Sequence, residues 1–166
     1  MGLEPHVGVT AWLALSPSSS EAGCMRMIPG SHRGAVRDHN DTFSAENILT
    51  RGQEIASVAE AEAVEIPLRP GQVSFHSQRV IHNSMPNTSG DRRIGFAIQS
   101  YIPPEVVQTK ARTNAQLVRG RDPLGHFDPA PRPTRDMAPG DVALRDRVNA
   151  TWAEILYEGA DRRRDL

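Results

Sequence analysis

Two residues of the segment RVIHNSMPNTSGDRR, residues 79–93, have the types and spacing of a site for a small cofactor. His82 precedes Arg93 by eleven residues. A neutral imidazole can ligate a metal ion, and a planar guanidinium can donate two parallel charge-assisted hydrogen bonds to a carboxylate. The pair is typical of a site that chelates a cofactor through a metal and clamps it through a carboxylate. The other interpretation is a structural histidine and an arginine in a surface ion pair.

Ser84 follows His82 by two residues and can present its hydroxyl to the same carboxylate. As a turn residue alone it would need no such role. His82 is predicted at a strand end, where its imidazole can project into the mouth of a barrel. Arg92 is adjacent to Arg93, so on a strand the two side chains face opposite ways.

Short apolar runs bounded by proline and glycine must position these residues. Their length and their β-branched and aromatic content predict strands, and Pro29-Gly30 and Pro70-Gly71 have the chemistry of tight turns. Several short strands separated by turns predict a mostly β fold of the sandwich or jelly-roll type. The runs are Val7–Leu15, Cys24–Ile28, Ala63–Leu68, Gln72–His76 and Arg93–Ile102.

The strand that starts at Arg93 has the clearest alternation. We expect its bulky face to pack in a core. The opposite face begins with the guanidinium and continues with two small residues, which predicts open volume beside Arg93 and favours a cavity over an ordinary exposed face. The bulky residues are Ile94, Phe96, Ile98 and Ile102, and the other face carries Arg93, Gly95, Ala97 and Gln99.

The remaining segments are predicted to border this core. Residues 33–62 are polar, and Ala45–Ala61 is rich enough in helix-forming residues to predict a helix. After Pro103-Pro104 the proline-rich sequence predicts an irregular wrap. Val142–Tyr157 resumes helical periodicity and predicts a helix docked on the sheet. Its apolar stripe consists of Val148, Trp152, Ile155 and Leu156.

Composition argues against several classes of partner. The 166 residues suffice for one domain, and 19 Lys plus Arg against 20 Asp plus Glu lack the basic excess of a nucleic-acid-binding protein. Cys24 is the single cysteine, so no internal disulfide can form and the expected compartment is the cytoplasm. The longest apolar run, Val7–Leu15, is about half the roughly 20 residues of a membrane-spanning helix, so no membrane partner is expected.

Three segments in combination resemble the phytanoyl-CoA dioxygenase family of iron(II)- and 2-oxoglutarate-dependent oxygenases. They are residues 79–93, CMRMIPGSHR (Cys24–Arg33) and VTAWLAL (Val9–Leu15). The resemblance covers roughly residues 3–104, with weaker similarity in the GHFDPAP segment. It implies a double-stranded β-helix, a form of jelly roll, and an enzyme that couples decarboxylation of the co-substrate 2-oxoglutarate to hydroxylation of a small molecule.

Carried over by position, the resemblance makes His82 the second histidine ligand of Fe(II) and Arg93 the anchor for 2-oxoglutarate. Ser84 becomes a supporting contact, and Trp12 becomes a wall of the cofactor pocket. Pro29-Gly30-Ser31-His32 becomes a turn that shapes the site. Residues 1–104 are then expected to be the C-terminal part of a jelly-roll oxygenase core, with residues 33–62 as a partly helical insertion, and residues 105–166 to be a proline-rich wrap ending in a helix.

One part of the family pattern is missing from the sequence. The His-x-Asp or His-x-Glu metal pair belongs shortly before the position of Trp12, at an interval longer than the eleven residues present, so the remaining two ligands are expected upstream of Met1. Two local substitutes exist. His39-Asn40-Asp41 has the spacing but lacks strand character, and His6-Val7-Gly8 resembles a halogenase variant but lies too close to Trp12.

Two functions therefore remain open at the level of sequence. One is an iron(II)/2-oxoglutarate-dependent dioxygenase acting on a small-molecule substrate, truncated as given. The other is a non-catalytic jelly-roll module that binds a small carboxylate or a protein partner. The residues do not choose among substrates, between hydroxylation and halogenation, or among oligomeric states.

Overall fold

The computed structural model describes residues 2–44 and 51–163. The chain folds as two compact units. The terminal unit comprises Met1–Pro5, His39–Glu54 and Pro104–Leu166, and the central unit comprises His6–Asp38 and Ile55–Pro103. The candidate residues His82, Ser84, Arg93 and Trp12 all belong to the central unit.

Short strands dominate the described residues, with single-turn 3-10 helices at Ser31–Arg33 and Glu60–Glu62 and one α-helix. This confirms a mostly β class. Among the described residues the strands form separate two- and three-stranded sheets, so the double-stranded β-helix stays a prediction. In chain order the elements are β1 (Leu3–Glu4), β2 (Val9–Ala14), β3 (Met25–Met27), β4 (Asn40–Asp41), β5 (Gln53–Glu54), β6 (Val64–Ile66), β7 (Val73–Ser77), β8 (His82–Ser84), β9 (Gly95–Tyr101), β10 (Val107–Gln108), β11 (Asn114–Ala115), β12 (Asp128–Pro129) and α1 (Pro139–Leu156).

The first sheet of the central unit has the order β7-β2-β9 and is antiparallel. Trp12 on β2 lies opposite Ser74 on β7 and Ala97 on β9. Opposed residues of antiparallel strands share a face, so these three side chains point the same way. The other face is mostly apolar: it carries Ser77 opposite Val9, and its apolar residues are Val9, Ala11, Leu13, Val73, Phe75, Phe96 and Ile98.

The second sheet of the central unit has the order β6-β3-β8 and is also antiparallel. Met27 on β3 lies opposite His82, and Met25 lies opposite Ser84. His82 and Ser84 therefore project from one face of β8, beside two methionines. Two residues with candidate chemical roles are thus set on the same side of this sheet by strand alternation.

The predicted core packing of the strand after Arg93 is wrong. Phe96 is 57% exposed and Ile94 is 47% exposed, and Phe75 on β7 of the same sheet is 73% exposed. The apolar face of the β7-β2-β9 sheet is open to solvent. Alternation identifies the residues that share a face, but it does not determine what covers that face. The buried apolar residues are Leu3, Ala11, Ala14, Ala22, Cys24, Met25, Val106, Ala138, Ile155 and Tyr157.

The predicted helix over Ala45–Ala61 is not formed in its described part. Residues 51–61 contain the strand β5 and enter the 3-10 turn Glu60–Glu62, while residues 45–50 of the prediction lie outside the described residues. β5 pairs with β4, and that ladder competes with helix formation for the same backbone groups. Composition favoured a helix here, but strand pairing decided the local structure.

The carboxyl-terminal helix is confirmed. It was predicted over Val142–Tyr157, and α1 spans Pro139–Leu156. Pro139 occupies the first turn, where a missing N–H costs no intrahelical hydrogen bond. Asp141, also in the first turn, accepts hydrogen bonds from the backbone N–H and the hydroxyl of Thr134, both at 2.8 Å. No helix in the described ranges is long and apolar enough to cross a membrane.

Candidate functional site

The segment that leads into β8 is fixed to a turn near β3. The Ile81 N–H donates to Ser31 Oγ at 2.9 Å, and the Ile28 N–H donates to the Ile81 carbonyl at 3.0 Å. Ser31 opens the 3-10 turn directly after Gly30, whose φ of 78° suits a residue without a side chain. The PGSH segment therefore holds the backbone immediately before His82.

The imidazole of His82 is oriented by its own strand. Its Nδ1 lies 2.9 Å from the Val80 carbonyl oxygen. A carbonyl can only accept, so Nδ1 carries the proton and Nε2 of the neutral ring holds a lone pair. Histidines that ligate metals usually donate their other N–H to such an acceptor. His82 therefore has the tautomer that a metal ligand requires.

The guanidinium of Arg93 is held on one side and open on the other. Nη1 donates to the Gly23 carbonyl and, at 2.9 Å, to Ser84 Oγ. The carbon Cζ lies 5.8 Å from the centroid of the Trp12 ring, within range of a cation–π contact. Nη2 and Nε donate no hydrogen bond to any residue that the structure describes. Nη2 and Nε are therefore available to donate to a ligand carboxylate.

Ser84 lies next to the guanidinium of Arg93. Its Oγ already accepts a hydrogen bond from Arg93 Nη1. A hydroxyl has one proton to donate besides its acceptor lone pairs. Because a guanidinium cannot accept that proton, the Ser84 hydroxyl can donate it to a carboxylate bound by Arg93.

Trp12 fills the space that was predicted to be open beside Arg93. A Cβ atom placed on Gly95 would overlap Cζ2 and Cε2 of the indole and lie 2.7 Å from Cη2. The small residue at this position therefore accommodates an aromatic ring rather than leaving an empty cavity. The prediction failed here because the register between β2 and β9 cannot be obtained from one strand alone.

His76 is a site residue that the sequence analysis missed. Its ring centroid lies 5.7 Å from that of His82, and its Nδ1 lies 3.0 Å from Ser74 Oγ. Burial, and then the charge of His82, lower the pKa of His76 and favour its neutral form. The signal was present in VSFHS, where polar Ser74 and His76 alternate with apolar Val73 and Phe75.

The two local substitutes for the metal pair have other roles. Both carboxylate oxygens of Asp41 accept hydrogen bonds, Oδ2 from Arg51 Nε at 2.9 Å and Oδ1 from Gln53 at 3.0 Å. Gly8 lies against Gln78, whose Oε1 a side chain at this position would overlap. Across residues 2–44 and 51–163, no three or more His, Cys, Asp or Glu side chains are grouped so that they could hold a metal ion.

Residues 4–95 match the family model of phytanoyl-CoA dioxygenase (PhyH). Among individual proteins, the chain is 34% identical over 104 residues to the probable alpha-ketoglutarate-dependent hypophosphite dioxygenase of Stutzerimonas stutzeri, a match covering 56% of this chain and 36% of the relative. It is 32% identical over 85 residues to the 1-deoxypentalenic acid 11-beta-hydroxylase of Streptomyces arenae, covering 49% of this chain and 30% of the relative.

A solved structure is similar over most of the chain. The apo form of the non-heme monooxygenase ThoJ matches with a TM-score of 0.74 and 34% identity, covering 90% of this chain and 54% of that one. Its nickel complex matches with a TM-score of 0.73 and 28% identity, covering 95% of this chain and 55% of that one. The chain thus spans about a third of the length of the two curated relatives and just over half of ThoJ.

Proposed function

Because the chain belongs to the phytanoyl-CoA dioxygenase family, we propose that it carries the co-substrate site of an iron(II)/2-oxoglutarate-dependent dioxygenase that hydroxylates a small organic molecule. The observation that carries this proposal concerns the guanidinium of Arg93, whose Nη1 is hydrogen-bonded within the protein while Nη2 and Nε donate to no described residue. It is bonded to Ser84 and lies within cation–π range of Trp12, in the same unit as His82. Two curated relatives, a dioxygenase named as alpha-ketoglutarate-dependent and a hydroxylase, support this assignment.

Arg93 and Ser84 are proposed to bind the carboxylate of 2-oxoglutarate that lies farther from the metal. Nη2 and Nε of Arg93 donate to it, while Nη1 keeps its bonds to the protein and holds the guanidinium in place. The Ser84 hydroxyl adds a third donor. The Trp12 indole covers one face of the guanidinium and keeps water from competing with the carboxylate. Charge-assisted hydrogen bonds of this type are about twice as strong as neutral ones.

His82 is proposed to be one of three protein ligands of the iron, through Nε2. Iron(II) in such a site supplies activation of dioxygen and chelation of the co-substrate, and it needs two histidines and one carboxylate on one side of its coordination sphere. In this proposal the described residues supply one of these ligands together with the carboxylate anchor. We propose that the other histidine and the carboxylate come from a His-x-Asp pair upstream of Met1, as in the family pattern.

An anaerobic titration with iron(II) and 2-oxoglutarate tests this function. A visible metal-to-ligand charge-transfer band is expected in a version extended by the reading frame upstream of Met1, and the same version is expected to release succinate in air. His82→Ala should abolish the band, and Arg92→Ala, a neighbour outside the proposed site, should retain it. Absence of both the band and succinate release at every iron loading would contradict the proposal.

A second candidate is a non-catalytic jelly-roll module that binds a small carboxylate or a protein partner. It is favoured by one observation: Arg93 and Ser84 are hydrogen-bonded to each other, whereas no three-ligand metal group occurs among the described residues. Its signature would be 2-oxoglutarate binding that depends on Arg93, is unaffected by iron(II) or a chelator, and is accompanied by no turnover in the extended version.

A further inference from the structure

We propose that Gly95 is a positioning residue for the carboxylate anchor and acts through Trp12 to place the guanidinium of Arg93. The inference rests on the proposed function of Arg93 and adds to it a residue that touches neither co-substrate nor metal. Trp12 lies on β2 and Gly95 is the first residue of β9, while Arg93 lies two residues before that strand begins.

The contact between Gly95 and Trp12 leaves no room for a methyl group. A Cβ on Gly95 would overlap two indole atoms, Cζ2 and Cε2, and approach Cη2 to 2.7 Å. Gly95 is not among the glycines with a positive φ, so its backbone would accept alanine. The requirement for glycine here is therefore the space occupied by the indole.

The indole in turn sets the position of the guanidinium. Arg93 Cζ lies 5.8 Å from the ring centroid, and Nη1 is bonded to Gly23 and Ser84 on its other side. Gly95 lies on the face of β9 toward which Trp12 projects, because Ala97, which is opposite Trp12, is two residues further along the same strand. If the indole moves, the guanidinium loses its cation–π contact.

Fluorescence of Trp12 tests the geometry without any ligand. The chain has two tryptophans, so Trp152→Phe leaves Trp12 as the only indole reporter. In that background Gly95→Ala should shift the Trp12 emission to the red and increase its quenching by acrylamide. Arg93→Ala should change the emission in the Gly95 protein but cause no further change in Gly95→Ala. The control is Gly90→Ala, whose added methyl meets no atom within 4 Å.

Binding of 2-oxoglutarate tests the consequence. We expect Gly95→Ala to weaken binding about tenfold, the effect of 1.4 kcal/mol of overpacking. In the Trp12→Phe background, where the shorter ring leaves space for the methyl, Gly95→Ala should change affinity little. Unaltered Trp12 fluorescence in Gly95→Ala, or an equal loss of affinity in both backgrounds, would overturn the inference. If the parent protein binds no 2-oxoglutarate, the proposed function fails, and the fluorescence comparison still decides whether Gly95 positions Arg93.

Discussion

At the scale of single residues, the proposed function depends on the guanidinium of Arg93, whose nitrogens differ in their hydrogen bonding. Nη1 of Arg93 is bonded within the protein, and the rest of the fork makes no bond to a described residue. A lysine ammonium could reach the same place, but it is a compact point charge without the planar fork. In the proposed site, arginine is therefore the residue that can bond to the protein and to a carboxylate at the same time.

Arg93→Lys is expected to weaken 2-oxoglutarate binding about tenfold, because one charge-assisted hydrogen bond to the ligand is lost. Isothermal titration calorimetry measures this change. The matched control is Arg92→Lys at the neighbouring residue. The backbone carbonyl of Arg92 accepts a hydrogen bond from Ser16 Oγ, and its side chain bonds to no described residue. Equal affinities of the Arg93→Lys and Arg92→Lys proteins would count against the assignment.

The part of the site that depends on alternation within one strand could be predicted from the sequence, and the part that depends on strand pairing could not. His82 and Ser84 share a face of β8 because side chains two apart in a strand point the same way. The position of Trp12 over Gly95 depends on which strands pair and in what register, which local patterns do not specify. His76 was not predicted as a site residue, because a strand pattern does not specify which residues contact its polar face.

At the scale of elements, the turn at Pro29-Gly30 has a structural task that links it to the site. Ser31 accepts the hydrogen bond of the Ile81 N–H and so fixes the residue before His82. The family resemblance predicted that this segment shapes the site. The hydrogen bond provides a physical route for such an effect, and the functional role of the turn stays a prediction.

Ser31→Ala should lower the free energy of unfolding by about 1 kcal/mol, since the Ile81 N–H loses its partner. Urea denaturation provides the measurement. Ser31→Thr keeps the hydroxyl and should unfold close to the parent midpoint. If the alanine variant is as stable as the threonine variant, the hydrogen bond contributes nothing to holding this segment.

The stability of the β4-β5 ladder in the terminal unit is expected to depend on pH through Asp41. The hydrogen bond from Arg51 is the largest factor that lowers the pKa of Asp41 below its usual 3.8, followed on the same side by the one from Gln53. Because the folded pKa is depressed, the ionised carboxylate stabilises the fold above pH 3.8 and this contribution is lost as the pH falls through the folded pKa.

Asp41→Asn is therefore expected to lower the melting temperature at pH 7 and to differ less from the parent at pH 3. Thermal unfolding at pH 7, 5 and 3 provides the comparison. Asp91→Asn, at an exposed position, is the control. A gap between the Asp41→Asn and parent proteins that is the same at all three values would show that the charge of Asp41 is not what stabilises the ladder.

Strands and the terminal helix could be predicted closely because each depends on a local periodicity. Val73–Ser77 lies within one residue of the predicted Gln72–His76, and α1 extends three residues before the predicted start at Val142. The predicted helix over 45–61 is not formed in its described part, residues 51–61, because Gln53–Glu54 instead pairs with Asn40–Asp41 although the composition favours a helix. Pairing across the chain is a tertiary effect, and it overrode the propensity.

At the scale of the whole molecule, the open apolar face of the β7-β2-β9 sheet should control self-association. Phe75 is 73% exposed and Phe96 is 57% exposed on that face. Contiguous exposed apolar surface favours aggregation or pairing between chains, and the outer edges of β7 and β9 add unpaired backbone groups. The sequence identified the apolar residues but not their exposure.

The double variant Phe75→Ser/Phe96→Ser is expected to be more monodisperse than the parent at equal concentration, as measured by light scattering. Leu117→Ser/Val118→Ser is the control, since these residues are also apolar, 59% and 68% exposed, and lie in the other unit. If both double variants improve monodispersity equally, the sheet face has no special part in association.

The most direct test of the central claim is a titration of 2-oxoglutarate into the ¹⁵N-labelled 166-residue protein, with the arginine Nε–H resonances observed by NMR. Arg93→Lys identifies the Arg93 resonance by its disappearance. We predict that this resonance shifts saturably, that Ser84→Ala reduces the affinity, and that the Arg92 resonance stays unchanged. If the Arg93 resonance does not move while the ligand binds elsewhere, or if no resonance moves at any concentration, Arg93 is not the anchor of a 2-oxoglutarate site.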